Sequence, residues 1–145
     1  MRHLLWGFCL LLLSHCAATA QQLPTGTWQL TDFNSGKPLV QLQFKQHPTG
    51  MQAVIVGIPK NSPLAADARC LTCSPRDKRH KKPLMGMVVL EGLQPAGTNW
   101  VQGEWLDLEK GFTYMANLSQ VSPTEIKVSV LYGKMEKARM LRKLK

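Results

Sequence analysis

Residues 112–132 read FTYMANLSQVSPTEIKVSVLY, and this stretch decides the fold class. Phe112, Tyr114, Ala116 and Leu118 alternate with Thr113, Met115, Asn117 and Ser119. Beyond Ser122-Pro123, Ile126, Val128, Val130 and Tyr132 alternate with Lys127, Ser129 and Leu131. A period of two puts one set of side chains on one face of a strand. Two such runs joined by a short proline-containing turn predict antiparallel pairing.

The same reading extends towards the N-terminus. Trp28 and Leu30 alternate with Gln29 and Thr31, and Val40, Leu42 and Phe44 alternate with Gln41, Gln43 and Lys45. Ala53–Ile58 is rich in β-branched residues, Leu84–Leu90 is a continuous apolar run, and Trp100–Leu106 holds two tryptophans around Gly103. Turn residues separate these runs at Asn34-Ser35-Gly36, His47-Pro48-Thr49-Gly50, Pro95-Ala96-Gly97 and Glu109-Lys110-Gly111. The fold class is therefore all-β: a small antiparallel meander of about eight strands. Closure into a barrel would remove the exposed edges that invite aggregation. Residues 59–83 interrupt the pattern as a long loop insertion, and Ser62–Ala68 could form a helical turn or two. The C-terminal run is ambiguous. Met135, Ala138, Leu141 and Leu144 recur at near-helical spacing, and the periodicity leans that way, whereas Ala138, Met140, Arg142 and Leu144 would read as an edge strand.

The chain has 145 residues and a formal net charge of +9. Arg2 and His3, an apolar stretch from Leu4 to Leu13, and Ala18-Thr19-Ala20 have the layout of a cleavable signal peptide over residues 1–20. The apolar stretch is too short for a permanent helical anchor, which needs about 20 residues. A lipoprotein modified at Cys16 is a weaker alternative, because His15 stands where a small residue belongs. Residues 21–145 then form one domain. Nucleic acid is not expected as a partner of an exported basic protein. An anionic envelope surface, a small apolar ligand or a lipid fits better, and the protein is expected to be a monomer.

Candidate chemistry is sparse. Cys70 and Cys73 would remain after processing, and an oxidising compartment favours a disulfide staple between them over a redox-active pair or a metal site. Arg76, Lys78, Arg79, Lys81 and Lys82 form a basic surface run, unless they simply solvate a loop. Glu91 and Glu104 lie within apolar runs, and an outward position for them is favoured over a cavity. No catalytic set, metal site or cofactor motif is recognisable, so the protein is not expected to be an enzyme. Trp28, Trp100, Trp105 and Tyr114 are the candidates to line an apolar ligand pocket in a barrel mouth. Plain core packing is the competing reading.

Several motifs resemble a known family. Gly26-Thr27-Trp28 opens the domain. Lys82–Leu93, Trp100 with Gly103, Asp107–Tyr114 and Leu131-Tyr132-Gly133 follow in order. Together they resemble the bacterial exported family catalogued as domain of unknown function 2147. Leu108 stands where that family usually has proline, and the family's terminal tryptophan is missing here. The resemblance implies an envelope setting in a Gram-negative bacterium, the periplasm, and a strand rather than a helix at the C-terminus. It implies no established activity. The opening Gly-x-Trp with a late arginine is also similar to lipocalin-type barrels, in which an arginine packs over the tryptophan face. Arg139 or Arg142 would then stack on Trp28 as a structural cation–π pair.

These readings lead to two expectations from different classes. One is a non-enzymatic lipocalin-like protein that binds a small apolar or amphipathic ligand. The other is a basic envelope module that binds an anionic surface or a protein partner.

Overall fold

A computed structural model describes residues 21–145. The signal-peptide and Cys16 readings concern residues 1–20 and lie outside it. Eight strands follow in order: β1 Trp28–Thr31, β2 Pro38–His47, β3 Gly50–Gly57, β4 Val88–Ala96, β5 Asn99–Asp107, β6 Phe112–Ser122, β7 Glu125–Tyr132 and β8 Met135–Lys143. Each strand pairs with the next, and β8 pairs antiparallel with β1 to close the barrel. The seam matches Trp28 with Lys143, Gln29 with Arg142 and Leu30 with Leu141. The Leu144 amide extends it by donating to the Thr27 carbonyl at 2.8 Å.

The alternation works as the sequence predicts. Inward residues of successive strands, such as Leu42, Ile55, Leu118, Ile126 and Val128, are fully buried in one core. Burying a side chain of this size stabilises the fold by roughly 1.5–3 kcal/mol.

Two strands depart from simple alternation. Trp100 and Trp105 are five residues apart, so strict alternation would place them on opposite faces. A bulge between Trp100 and Gly103, with Gln102 at a φ of 60°, resets the phase. Both indoles then face the core. In β8 the helical spacing is overturned, because the whole segment pairs with β7 from Tyr132↔Met135 to Glu125↔Arg142. Its inward positions are Lys137, Arg139, Leu141 and Lys143, which lie opposite Val130, Val128, Ile126 and Trp28. Three of those four are charged, so no apolar alternation was available to read.

The hairpin loops β1–β2, β5–β6 and β7–β8 gather at one end of the barrel, together with the β3–β4 connection. That connection, residues 58–87, folds down as a cap over part of this mouth. It is somewhat longer than the insertion expected from sequence, since Leu84 belongs to the cap and β4 begins at Val88. Residues 62–68 form turns rather than helix. Within the cap, Cys70 and Cys73 are joined by a disulfide and are almost fully buried with Leu84 and Met87.

Polar bonds tie the cap to the rim. Ser62 Oγ donates to the Leu39 carbonyl at 2.8 Å, and Thr72 Oγ1 to the Leu108 carbonyl at 2.9 Å. The cap backbone runs so close to the β5–β6 turn that a Cβ at Gly111 would collide with the Thr72 carbonyl and sit 2.7 Å from the Cys73 amide nitrogen.

Candidate functional site

Arg79, expected on the basic surface, is instead a bolt. Its side chain is only 11% exposed. It grips Asp77 with two parallel bonds, Nη2 to Oδ2 at 2.7 Å and Nε to Oδ1 at 2.9 Å. It also donates to Thr113 Oγ1 at 2.9 Å and to the Val88 carbonyl at 3.4 Å, joining the cap to β6 and β4. The guanidinium holds the Asp77 carboxyl down at about 2, its hydrogen bond being the main cause. Glu91 and Glu104 lie opposite one another across β4 and β5, outside the core, and their field falls on Arg79. Like charges facing across a pair of strands repel, and Arg79 offsets that repulsion. The other four basic residues of the run, Arg76, Lys78, Lys81 and Lys82, are exposed.

The four aromatic pocket candidates do not come together around a cavity. Trp28 packs edge-on against Phe44, ring centres 6.3 Å apart, and its indole N–H finds no acceptor among the described residues. Trp100 is buried in the core. Trp105 borders a gap of only about 10 Å³, together with Leu30, Leu39 and Arg139. A water needs at least roughly 10–15 Å³, so that gap admits no guest. Tyr114 leans on Tyr132 at 4.3 Å between ring centres. The large side chains fill the barrel axis instead of lining a hollow.

The expected stacking on Trp28 also changes partner. Register places Lys143 opposite Trp28, and its Nζ lies 5.8 Å from the ring centre. Arg142 faces outward and pairs with Glu125 at 3.7 Å. Arg139 sits two residue pairs further up the barrel, 4.8 Å from the Phe33 ring.

What Arg139 builds is a polar mouth. Asp107, at the end of β5, is 2% exposed yet fully engaged. Its Oδ1 accepts the backbone amides of Glu109 and Lys110 at 3.0 and 3.1 Å, which shapes the β5–β6 turn. Its Oδ2 accepts the Tyr132 hydroxyl at 2.9 Å. Arg139 Nη2 lies 3.7 Å from that oxygen and donates to Glu109 Oε2 at 3.2 Å. Burial, with Asp107 beside it, pushes the Tyr132 phenol up to about 12. Burial, with the Asp32 carboxyl nearby, raises the Glu109 carboxyl. The neighbouring Glu109 carboxyl, with the Ser35 amide and hydroxyl donating to Asp32, leaves Asp32 down at about 2.

Above this network opens a cleft of about 370 Å³ between the β1–β2, β5–β6 and β7–β8 loops, on the side of the mouth that the cap leaves free. Phe33 and Tyr132 supply its aromatic surface, and Lys110, Lys137 and Arg139 its cations. Lys110 Nζ stands 4.5 Å from the Tyr132 ring centre, and Lys137 Nζ lies within 6 Å of both rings. Arg139 is held by Glu109, whereas neither lysine has a carboxylate within ion-pair distance among the described residues. The sequence contained this site only in fragments. Phe33 comes from the β1–β2 loop, Lys110 from the β5–β6 loop, Tyr132 from the end of β7 and Lys137 from β8, and no local spacing links the three regions.

A closed eight-stranded antiparallel meander barrel is a lipocalin-like fold. The solved structure of protein HP1028 from the human pathogen Helicobacter pylori, described as belonging to the lipocalin family, is similar to it with a TM-score of 0.69. That likeness covers 87% of this chain and 85% of the other at 21% identity, and it speaks for the fold alone. Over residues 26–139 the sequence matches the profile of the family described as uncharacterized protein conserved in bacteria (DUF2147), and the chain belongs to that family. No curated protein matches the sequence.

Proposed function

We propose that this is an extracytoplasmic binding protein that holds a small anionic molecule with an aromatic or aliphatic body in the mouth cleft, without performing chemistry on it. The carrying observation is the cleft of about 370 Å³ that sets two aromatic rings beside two lysines with no carboxylate partner among the described residues. A cleft of this size lies at the lower end of the usual range for small-molecule sites, about 300–1,000 Å³. The filled barrel axis argues for a ligand that rests in the mouth rather than one swallowed along the axis. The buried Asp107–Tyr132–Arg139 network supports preorganisation, because it holds the floor of the cleft before any ligand arrives. The signal-peptide layout of residues 1–20 and the Cys70–Cys73 disulfide support the compartment.

The test uses 1-anilinonaphthalene-8-sulfonate, an anionic aromatic probe, titrated against the native protein by fluorescence. Saturable one-to-one binding is expected, and Lys110→Ala/Lys137→Ala should weaken it about tenfold, the worth of two modest charge contacts. Equal affinity in the two proteins would remove the mouth as the binding site.

A further inference from the structure

A second cleft lies on the outer side of the cap, separate from the mouth. It encloses about 310 Å³ between the cap and β4, with Lys78 and Lys82 at its edge and Met85, Met87 and Val88 along its floor. Met85 is 46% exposed. Leu71, on the same cap, is 70% exposed. Glu91 also lines the cleft, against the cations Lys78, Arg79 and Lys82. Arg79 is consumed by Asp77. Lys78 meets Glu91 only at 3.6 Å in a largely exposed pair, which is a weak hold. Lys82 has no carboxylate within ion-pair distance among the described residues, and Arg76 and Lys81 add exposed positive charge nearby in the chain.

A cationic edge above a methionine-lined floor matches the boundary of an anionic bilayer. There, phosphate groups lie just outside aliphatic chains, and each nearby basic residue adds favourably to binding. We infer that the outer face of the cap docks on an anionic lipid surface, with lipid phosphate between Lys78 and Lys82 and Met85 reaching towards the acyl region. The disulfide and the Arg79 bolt keep this face rigid, so docking needs no opening of the barrel. The surface is independent of the mouth cleft, and either assignment can fail without the other.

The experiment is co-sedimentation of the native protein with phosphatidylcholine vesicles, with and without phosphatidylglycerol. Binding is expected only to vesicles containing about 30% of the anionic lipid, and raising the salt should release it. Lys78→Glu/Lys82→Glu should lower the vesicle partition coefficient by at least about tenfold, while Lys45→Glu/Lys145→Glu, with the same net charge change at the other end of the barrel, should change it by less than about threefold. Met85→Glu, which leaves every cation in place, should also weaken binding and serves if the double variant does not fold. Equal losses in the two double variants would reduce the effect to net charge and overturn the assignment. Absence of vesicle binding at low salt would overturn it too. So would capture of soluble polyglutamate in place of vesicles, which would transfer the face to an acidic protein partner.

Discussion

Replacing Gly111 by alanine tests the cap-to-barrel contact at its tightest point. Two costs add. Gly111 has a φ of 73°, and a side chain in that left-handed region costs about 1–2 kcal/mol. The new Cβ would also overlap the Thr72 and Cys73 backbone, and forcing extra carbon into a packed contact costs about 1–3 kcal/mol. The cap could escape the overlap only by lifting, which would expose Leu84, Met87 and the disulfide. At roughly 2 kcal/mol per buried side chain, lifting costs more than straining. The cap is therefore expected to stay seated, with a total loss of about 2–5 kcal/mol. Gly97 is the matched control: its φ is 61°, but open space surrounds it. Gly97→Ala should lose only the backbone part, about 1–2 kcal/mol. Urea unfolding followed by tryptophan fluorescence measures both variants, and their slopes should equal that of the unmodified protein. If the two variants lose the same stability to within about 0.5 kcal/mol, the cap does not press on the β5–β6 turn and the packing argument fails.

Three further outcomes follow from the same contacts. Reducing the Cys70–Cys73 bond, which closes a loop of four residues, should cost about 2 kcal/mol, and trypsin should then cut at Arg76–Lys82 before it cuts the barrel; unchanged urea midpoints with and without reductant would contradict this. Tyr132→Phe removes a bond to buried Asp107 and should cost about 1–2 kcal/mol. In the unmodified protein one phenol should titrate near 12, and since the unfolded phenol titrates lower, that part of the stability is whole below about pH 10 and disappears as pH rises towards 12; an ultraviolet titration with both tyrosines ionising together near pH 10 would refute it. Asp77 runs the opposite way: held at about 2 against 3.8 unpaired, it stabilises the cap above about pH 4, and the effect fades as pH falls towards 2. Hydrogen-exchange protection at Cys70 and Leu84, whose amides bond within the cap, should therefore drop in acid before that of Val128 in β7. Parallel losses in cap and barrel would count against the Arg79 bolt.

Much of the architecture was readable along the chain. The alternation in residues 112–132 and its counterparts announces strands, the turn residues announce a meander, and the number of strands announces closure. The paired cysteines point to a staple because an oxidising compartment favours one, and the turn of the cap brings their Cα atoms to 5.3 Å. These are local properties: they depend on where successive side chains of one segment point.

Register, closure and the convergence of loops are not local. β8 hid its identity because its inward positions include Lys137, Arg139 and Lys143, whose charged ends lie at the mouth or over Trp28. Trp105 reads as pocket lining until the bulge at Gln102 turns both indoles of β5 into the core, where they fill the space that a ligand would need. Arg79 reads as one basic residue among several until the cap folds down and Asp77, Thr113 and Val88 surround it. The mouth cleft needs Phe33, Lys110, Tyr132 and Lys137 brought together from loops and strand ends up to about a hundred residues apart in the chain. A sequence shows which face of a strand each side chain takes. Which side chains then meet is set by how the whole barrel closes, because the energy of each contact depends on partners that only closure brings within reach.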